Sequence, residues 1–348
     1  MKVAVVTGCS GLVGCQAVDF LHKKGFFVVG IDNHMRGYFF GDDKSTINIT
    51  NTLLSKYDNF KFFKLDIREF EGLKKIFSEF SSDIELIIHT AAQPSHDWAA
   101  REPITDFTIN ANGTLNLLES FRSHCKNATF IYVSTNKVYG DRPNLLNLTE
   151  DKTRFEFYEN GNLSSGIDEN MNIDNSTHSL FGVSKLSGDL LAQEYGKYFG
   201  LNVGIFRGGC LTGPNHQGAQ LHGFLSYLVK CVKNNLPYEI IGYNGKQVRD
   251  NIHSFDLVNS FWCFHKNPKK GEVYNIGGGR ENSVSVLEAI KFTQELCDIK
   301  NFSYTINNQN RIGDHIWYIS NLSKFKKDYP DWDLTKNLKQ IIIDIINE

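Results

Sequence analysis

The chain has 348 residues, 41% hydrophobic and 22% charged, which is enough for a large core or two coupled domains. A formal net charge of −2 gives no electrostatic footprint for nucleic acid or an anionic membrane, so a phosphate-bearing ligand has to be held by local groups. Seven scattered cysteines without a CxxC pair argue against a zinc site or a disulfide framework, and no metal is expected.

The sequence runs at once into a strand, KVAVVTG, with no signal-peptide pattern, and no apolar run approaches the ~20 residues of a membrane span. The expectation is a cytoplasmic protein with reduced thiols and no membrane partner. GLVGCQAVDFLHKKG follows with helical spacing and a Gly stop. Further strands are expected at FFVVGID, FKFFKLDI, IELIIHTAA and ATFIYVST, with helices between them that include REFEGLKKIFSEF and NGTLNLLESFRSH. Strands alternating with helices predict an α/β fold with a doubly wound parallel sheet of the Rossmann type.

From 141 to 177 the alternation stops, and a polar, acidic insert is expected as a functional cover or a mobile loop. The helix FGVSKLSGDLLAQEYGKYFG and the strand NVGIFRGG then resume the pattern. Residues 1–206 read as a cofactor-binding domain. Residues 207–348 read mainly as a smaller, mixed substrate lobe, part of which (about 250–280) returns to the sheet.

The segment VTGCSGLVG places Gly8, Gly11 and Gly14 between the first strand and its helix. Glycines there allow a tight turn and close approach of a pyrophosphate, which the helix N-terminus stabilises through Ser10, Leu12 and Val13. Asp32 ends the next strand, followed by Asn33, and a carboxylate there accepts ribose hydroxyls of NAD and repels the 2′-phosphate of NADP. Arg36 nearby is the one residue that argues the other way.

With this N-terminal spacing the chain resembles the extended short-chain dehydrogenase/reductase family, and further motifs match in order along nearly the whole length. The resemblance implies an adenine contact at Asp66 and Ile67, and a cofactor-lining turn at Ala91, Ala92 and Gln93. It also implies an Asn beside the nicotinamide at Asn110, a catalytic hydroxyl at Thr135 and a ribose-binding Lys185. RDNIH and RIGD carry Arg249 and Arg311, which resemble diphosphate-binding arginines, with Asp314 beside the second. GPNHQGAQLHGF resembles a nucleotide-binding segment with contacts at Asn215, His216, Gln220 and His222. Arg207, Gly208 and Gly209 end the sixth strand, where the Arg reaches a sugar hydroxyl, a phosphate or a structural ion pair. Trp98, Tyr243 and Tyr318 either stack on a ligand or pack in the core.

In the family a Tyr four residues before the Lys takes the proton from the substrate hydroxyl; here that position is Phe181. Dehydratases of the family carry an Asp-Glu pair after the catalytic Thr, where this chain has Asn136-Lys137. STNKVYGD, GKQVRDNIHSFD and RGGCLTGPNHQG resemble instead the CDP-tyvelose/CDP-paratose 2-epimerases. That resemblance implies tightly bound NAD and a CDP-linked or other NDP-sugar, epimerised at C2 through a 2-keto intermediate.

Phe181 then reads in three ways: an engineered Tyr-to-Phe exchange, a silent binding homologue, or a native branch whose base lies elsewhere. The last is favoured. QPSHDWAA offers Ser95, His96 and Asp97 beside the sugar, and His96, with an ordinary pKa near ~6.5, is the first candidate base. His178 is the second. Another sugar-nucleotide epimerase, such as a 4-epimerase, or a reductase is the alternative chemistry. By resemblance, the helices NGTLNLLESFRSH and FGVSKLSGDLLAQEY pair subunits into a homodimer or homotetramer.

Overall fold

The computed structural model describes residues 1–214, 218, 223–307, 309–310 and 313–347. The chain divides into two compact units, the first being Met1–Thr135, Leu180–Arg207 and Leu257–Tyr274.

In the first unit, strands β1 (Val3–Thr7), β2 (Phe27–Asp32), β3 (Phe60–Lys64), β4 (Ile84–His89) and β5 (Thr129–Thr135) pair in parallel in the order β5-β4-β1-β2-β3. Asn202–Gly208 and Lys270–Ile276 extend the sheet beyond β5 to seven strands. Every residue of β1 is buried, and five of the six in β4. This is the burial expected of continuous apolar strands covered on both faces.

The helices of this unit include α1 (Leu12–Lys23), α2 (Arg36–Phe40), α3 (Ile47–Lys56), α4 (Phe70–Phe80), α5 (His96–Arg101), α6 (Pro103–Phe107), α7 (Gly113–His124) and α8 (Ser179–Phe199). α2 and α3 fall in a stretch where the sequence predicted no element. The register carries one line of residues across the sheet: Thr7 sits opposite Ile31 and His89, and His89 opposite Tyr132. Gly8, Asp32, Ala91 and Val133–Thr135 therefore share the carboxyl ends of the strands, where open α/β sheets bind ligands.

The second unit is Asn136–Ser179, Gly208–Asp256 and Asn275–Glu348. Val248–His253 pairs in parallel with Cys210–Thr212 and Trp317–Tyr318, and antiparallel with Ser283–Ser285. A separate core joins the helices Phe224–Lys233, Val286–Cys297 and Leu338–Ile346 through Leu228, Val229, Ala289, Ile341 and Ile342.

The insert differs from expectation. It clusters with this second unit, whereas the sequence reading joined it to residues 1–206. Leu148–Glu150, Phe155–Glu159 and Asn162–Leu163 form an antiparallel sheet. Buried Glu156 accepts from Arg280 at 3.0 and 3.1 Å and from the Trp317 indole at 3.0 Å. Ile167 N–H donates to the Ile319 carbonyl at 2.7 Å. A polar sequence is ordered here because its charges are paired against partners far away in the chain, which local pattern does not reveal. Among the described residues, no helix is long and apolar enough to cross a membrane.

Candidate active site

The glycine turn follows from steric limits. Gly8 has φ +66°, and a Cβ on it would lie 2.8 Å from Ala91 N. A Cβ on Gly14 would overlap the Gly8 carbonyl. Gly11 is the N-cap of α1 and offers no side-chain cap, which leaves the first N–H groups of this 12-residue helix to an anion. Asp32 at the end of β2 accepts Ser10 N–H at 3.1 Å and His34 N–H at 2.8 Å. Its carboxylate is thereby oriented and retains lone pairs for ribose hydroxyls.

Asn33 Nδ2 donates to Asp66 at 2.8 Å. Burial raises the Asp66 pKa, but the Arg68 guanidinium more than offsets this and holds it below the ordinary carboxylate value. Ile67 is buried beneath Gly113, and Arg36 lies over the Phe40 ring. These glycines, helix terminus and acid fit a dinucleotide.

Asn110 lies on a π-helical turn, Thr108–Asn112, that opens into α7; such turns recur at functional sites. Its amide donates to the Gln93 carbonyl, Asp106 and Ser184, each at 3.0 Å, and accepts Gln93 N–H at 2.9 Å. The Gln93 side chain, expected at the cofactor, donates instead to Asp106 at 2.7 Å and to the Ser95 carbonyl at 2.8 Å. Ser95, expected at the sugar, is buried, and its hydroxyl accepts Trp98 N–H as the N-cap of α5. Ser95 is taken up because a six-residue helix needs its first N–H groups satisfied locally, and the Gln93 amide because it meets the buried Asp106 carboxylate.

Thr135 sits half-buried at the end of β5. Lys185, buried on α8, donates to the Val133 carbonyl at 2.8 Å, and its Nζ lies 4.3 Å from the Tyr132 ring centroid. Burial pushes its ammonium down to about 8, against the pull of Asp189 and Asp106. Phe181 lies one turn earlier and is buried. The His96 ring packs against it at 4.9 Å and 59°. His178 precedes α8, and its Nδ1 faces the Ser176 carbonyl at 3.1 Å, a local turn contact.

Arg207, for which a sugar hydroxyl, a phosphate or a structural ion pair was open, forks onto Asp189 at 3.0 and 2.9 Å, and the pair is buried. Ser134 donates to the same carboxylate at 2.6 Å and Gln193 at 2.7 Å. Two donors of this guanidinium thus brace α8 against the sheet. Asp189 follows Lys185 by one turn, and a single acid on a buried helix face was the available signal.

His89 also escaped the sequence reading, although a lone polar residue in an apolar strand marked it. Thr114 donates to the Asn110 carbonyl at 2.7 Å, so it accepts from His89 Nε2–H at 3.0 Å. His89 Nδ1 then accepts from the Thr7 hydroxyl at 2.8 Å. Burial, then the Lys185 charge, holds this imidazole well below its ordinary pKa, and it stays neutral.

In the second unit, Arg249 donates to Asp314 at 2.7 Å and to the Val248 carbonyl at 2.8 Å. Lys137 donates to the Gly313 carbonyl at 2.9 Å and lies 3.5 Å from Asp314. Burial pushes the Lys137 ammonium down to about 8, with Asp314 opposing. Burial raises Asp314, but Arg249 and Lys137 more than offset this and hold it well below the usual range. Two cations against one carboxylate suit an anion.

Asn136 is buried, Gly208 packs near Leu211, and a Cβ on Gly209 would lie 2.8 Å from Asp250 Oδ1. Tyr318 stacks on His315 at 5.4 Å. Asn215, His216, Gln220, His222 and Arg311 lie outside the described residues. Among the described residues, no cluster of His, Cys, Asp or Glu could hold a metal ion.

Residues 4–277 match the model of the NAD dependent epimerase/dehydratase family, and the chain belongs to that family. It is 33% identical over 306 residues to a CDP-paratose 2-epimerase of Salmonella typhi, covering 86% of this chain and 85% of that one. A UDP-glucuronate 4-epimerase of Thermodesulfobacterium geofontis is 26% identical over 343 residues, covering 98% and 95%. Among solved structures, a UDP-glucuronic acid 4-epimerase of Bacillus cereus, in complex with UDP-glucuronic acid and NAD, superposes with TM-score 0.78 at 24% identity, covering 99% and 98%.

Proposed function

We propose that this member of the NAD dependent epimerase/dehydratase family is an NAD-dependent epimerase that inverts C2 of a CDP-linked dideoxy sugar. The carrying observation is the His96 ring against Phe181, which puts a titratable group beside the position where the family's phenol is missing. Two further points support the substrate: the 33% identity to the Salmonella 2-epimerase, and Asn136-Lys137 in place of the acids a dehydratase uses.

Gly8, Gly11, Gly14 and the α1 terminus hold the pyrophosphate of NAD, Asp32 a ribose, and Lys185 the nicotinamide ribose. When bound, NAD would supply the hydride acceptor and donor needed for reversible oxidation at C2. His96 takes the C2 hydroxyl proton and returns it, while Thr135 hydrogen-bonds the same oxygen. Arg249 and Lys137 hold the diphosphate. The exposed apolar residues Ile104, Phe107, Leu180 and Val183 support a homodimer.

C2-deuterated CDP-paratose, incubated in water, tests the reading: inverted product should retain its label at C2. Label lost to solvent refutes internal return. His96→Ala should lower turnover by about 100-fold or more, and undiminished turnover removes His96 as the base. Tight binding with no inversion for any NDP-sugar points to a silent binding homologue.

A further inference from the structure

α5, which carries His96, has six residues, too few to hold its own conformation in water. Its placement is therefore imposed from outside. Beside the Gln93 side chain at its N-cap, α2, the short helix that begins four residues after Asp32, supplies the contacts to Trp98. The Trp98 indole N–H donates to the Phe39 carbonyl. The Trp98 ring lies against Tyr38 at 5.3 Å and Phe39 at 5.6 Å, with the Arg101 guanidinium over it at 5.6 Å. Just beyond α5, Glu102 accepts the Tyr38 hydroxyl at 2.6 Å. Phe39 in turn belongs to the sheet's buried core. Trp98 thus joins a helix too short to stand alone to a rigid part of the fold.

We propose that Trp98 is a positioning residue that acts through His96: docked on α2, it holds the imidazole at the Phe181 ring. The inference rests on the reading of His96 as the base for its catalytic consequence, but not for the placement itself. A misplacement of about 1 Å in a proton-transfer group lowers turnover by up to about 100-fold, so loss of the pin should fall on kcat and spare cofactor retention.

Two measurements on the full-length, NAD-loaded protein test it. The first is the NMR ring-current shift of His96 in selectively labelled protein, assigned by its absence in His96→Ala and expected to collapse in Phe181→Leu. Trp98→Ala should remove most of that shift, and Trp98→Phe, which keeps the ring and loses the N–H, should remove part of it. An unchanged shift in Trp98→Ala overturns the inference whatever His96 does in catalysis.

The second is a double-mutant cycle on CDP-paratose turnover. Trp98→Ala should lower kcat about 10- to 100-fold in the parent and less than about 2-fold in His96→Ala, because coupled residues are not additive. Equal losses in both backgrounds overturn the inference. Full turnover in His96→Ala, with the ring-current result intact, overturns the base assignment and leaves the placement standing.

Discussion

Replacing Lys185 by Met should make the NAD-free protein more stable at neutral pH while abolishing turnover. The buried ammonium titrates at about 8, against an ordinary 10.5. That difference corresponds to about 3 kcal/mol of destabilisation wherever the group is charged in both states. Below pH 8 the penalty is fully present. Between pH 8 and 10.5 the unfolded chain binds more protons than the folded one, so stability rises with pH and the penalty disappears. Met fills a similar volume and carries no charge. It forfeits the 2.8 Å bond to the Val133 carbonyl, which costs about 1 kcal/mol. The net gain at pH 7 is then about 2 kcal/mol, shrinking to nothing or reversing by pH 10.5. Urea unfolding of parent and variant at pH 6, 7, 8, 9 and 10 reads it directly. A variant less stable than the parent at pH 7, or a difference that does not change with pH, would refute the argument that burial of this charge is costly.

Asp189→Ala should have the opposite sign, because it leaves the Arg207 guanidinium buried without its 3.0 and 2.9 Å partner. A loss of about 3–5 kcal/mol is expected in urea unfolding, and a loss under about 1 kcal/mol would show the pair to be incidental. Asp250 is buried with one oxygen accepting Ser320 and Gly279 N–H at 3.0 and 3.1 Å, and burial raises its pKa to about 6. The folded state therefore binds more protons between about 4 and 6, and stability falls as pH rises through that window. Asp250→Asn should remove about 3 kcal/mol of that pH dependence. Parallel stability curves for parent and variant from pH 4 to 7 would refute it.

The motifs most legible in the sequence are those whose chemistry is local. A strand, three glycines and a helix can fold only into the observed turn, because a Cβ at Gly8 or Gly14 would meet backbone. The alternation of apolar strands with helices determined the doubly wound sheet in the same way. Phe181 was equally legible as the place where the family's phenol is missing.

The rest needed tertiary structure, for a physical reason common to every case. Buried polar groups must find partners, and those partners lie far off in sequence: Gln93 with Asp106 and Asn110, Arg207 with Asp189, Glu156 with Arg280 and Trp317. These pairings engage Gln93 and Arg207 within the protein and order an acidic insert into a sheet. The sequence alone determined the glycine turn between the first strand and its helix and the missing phenol. Only the folded chain decided which polar side chains are spent inside the protein, and it set His96 against Phe181 through a helix too short to place itself.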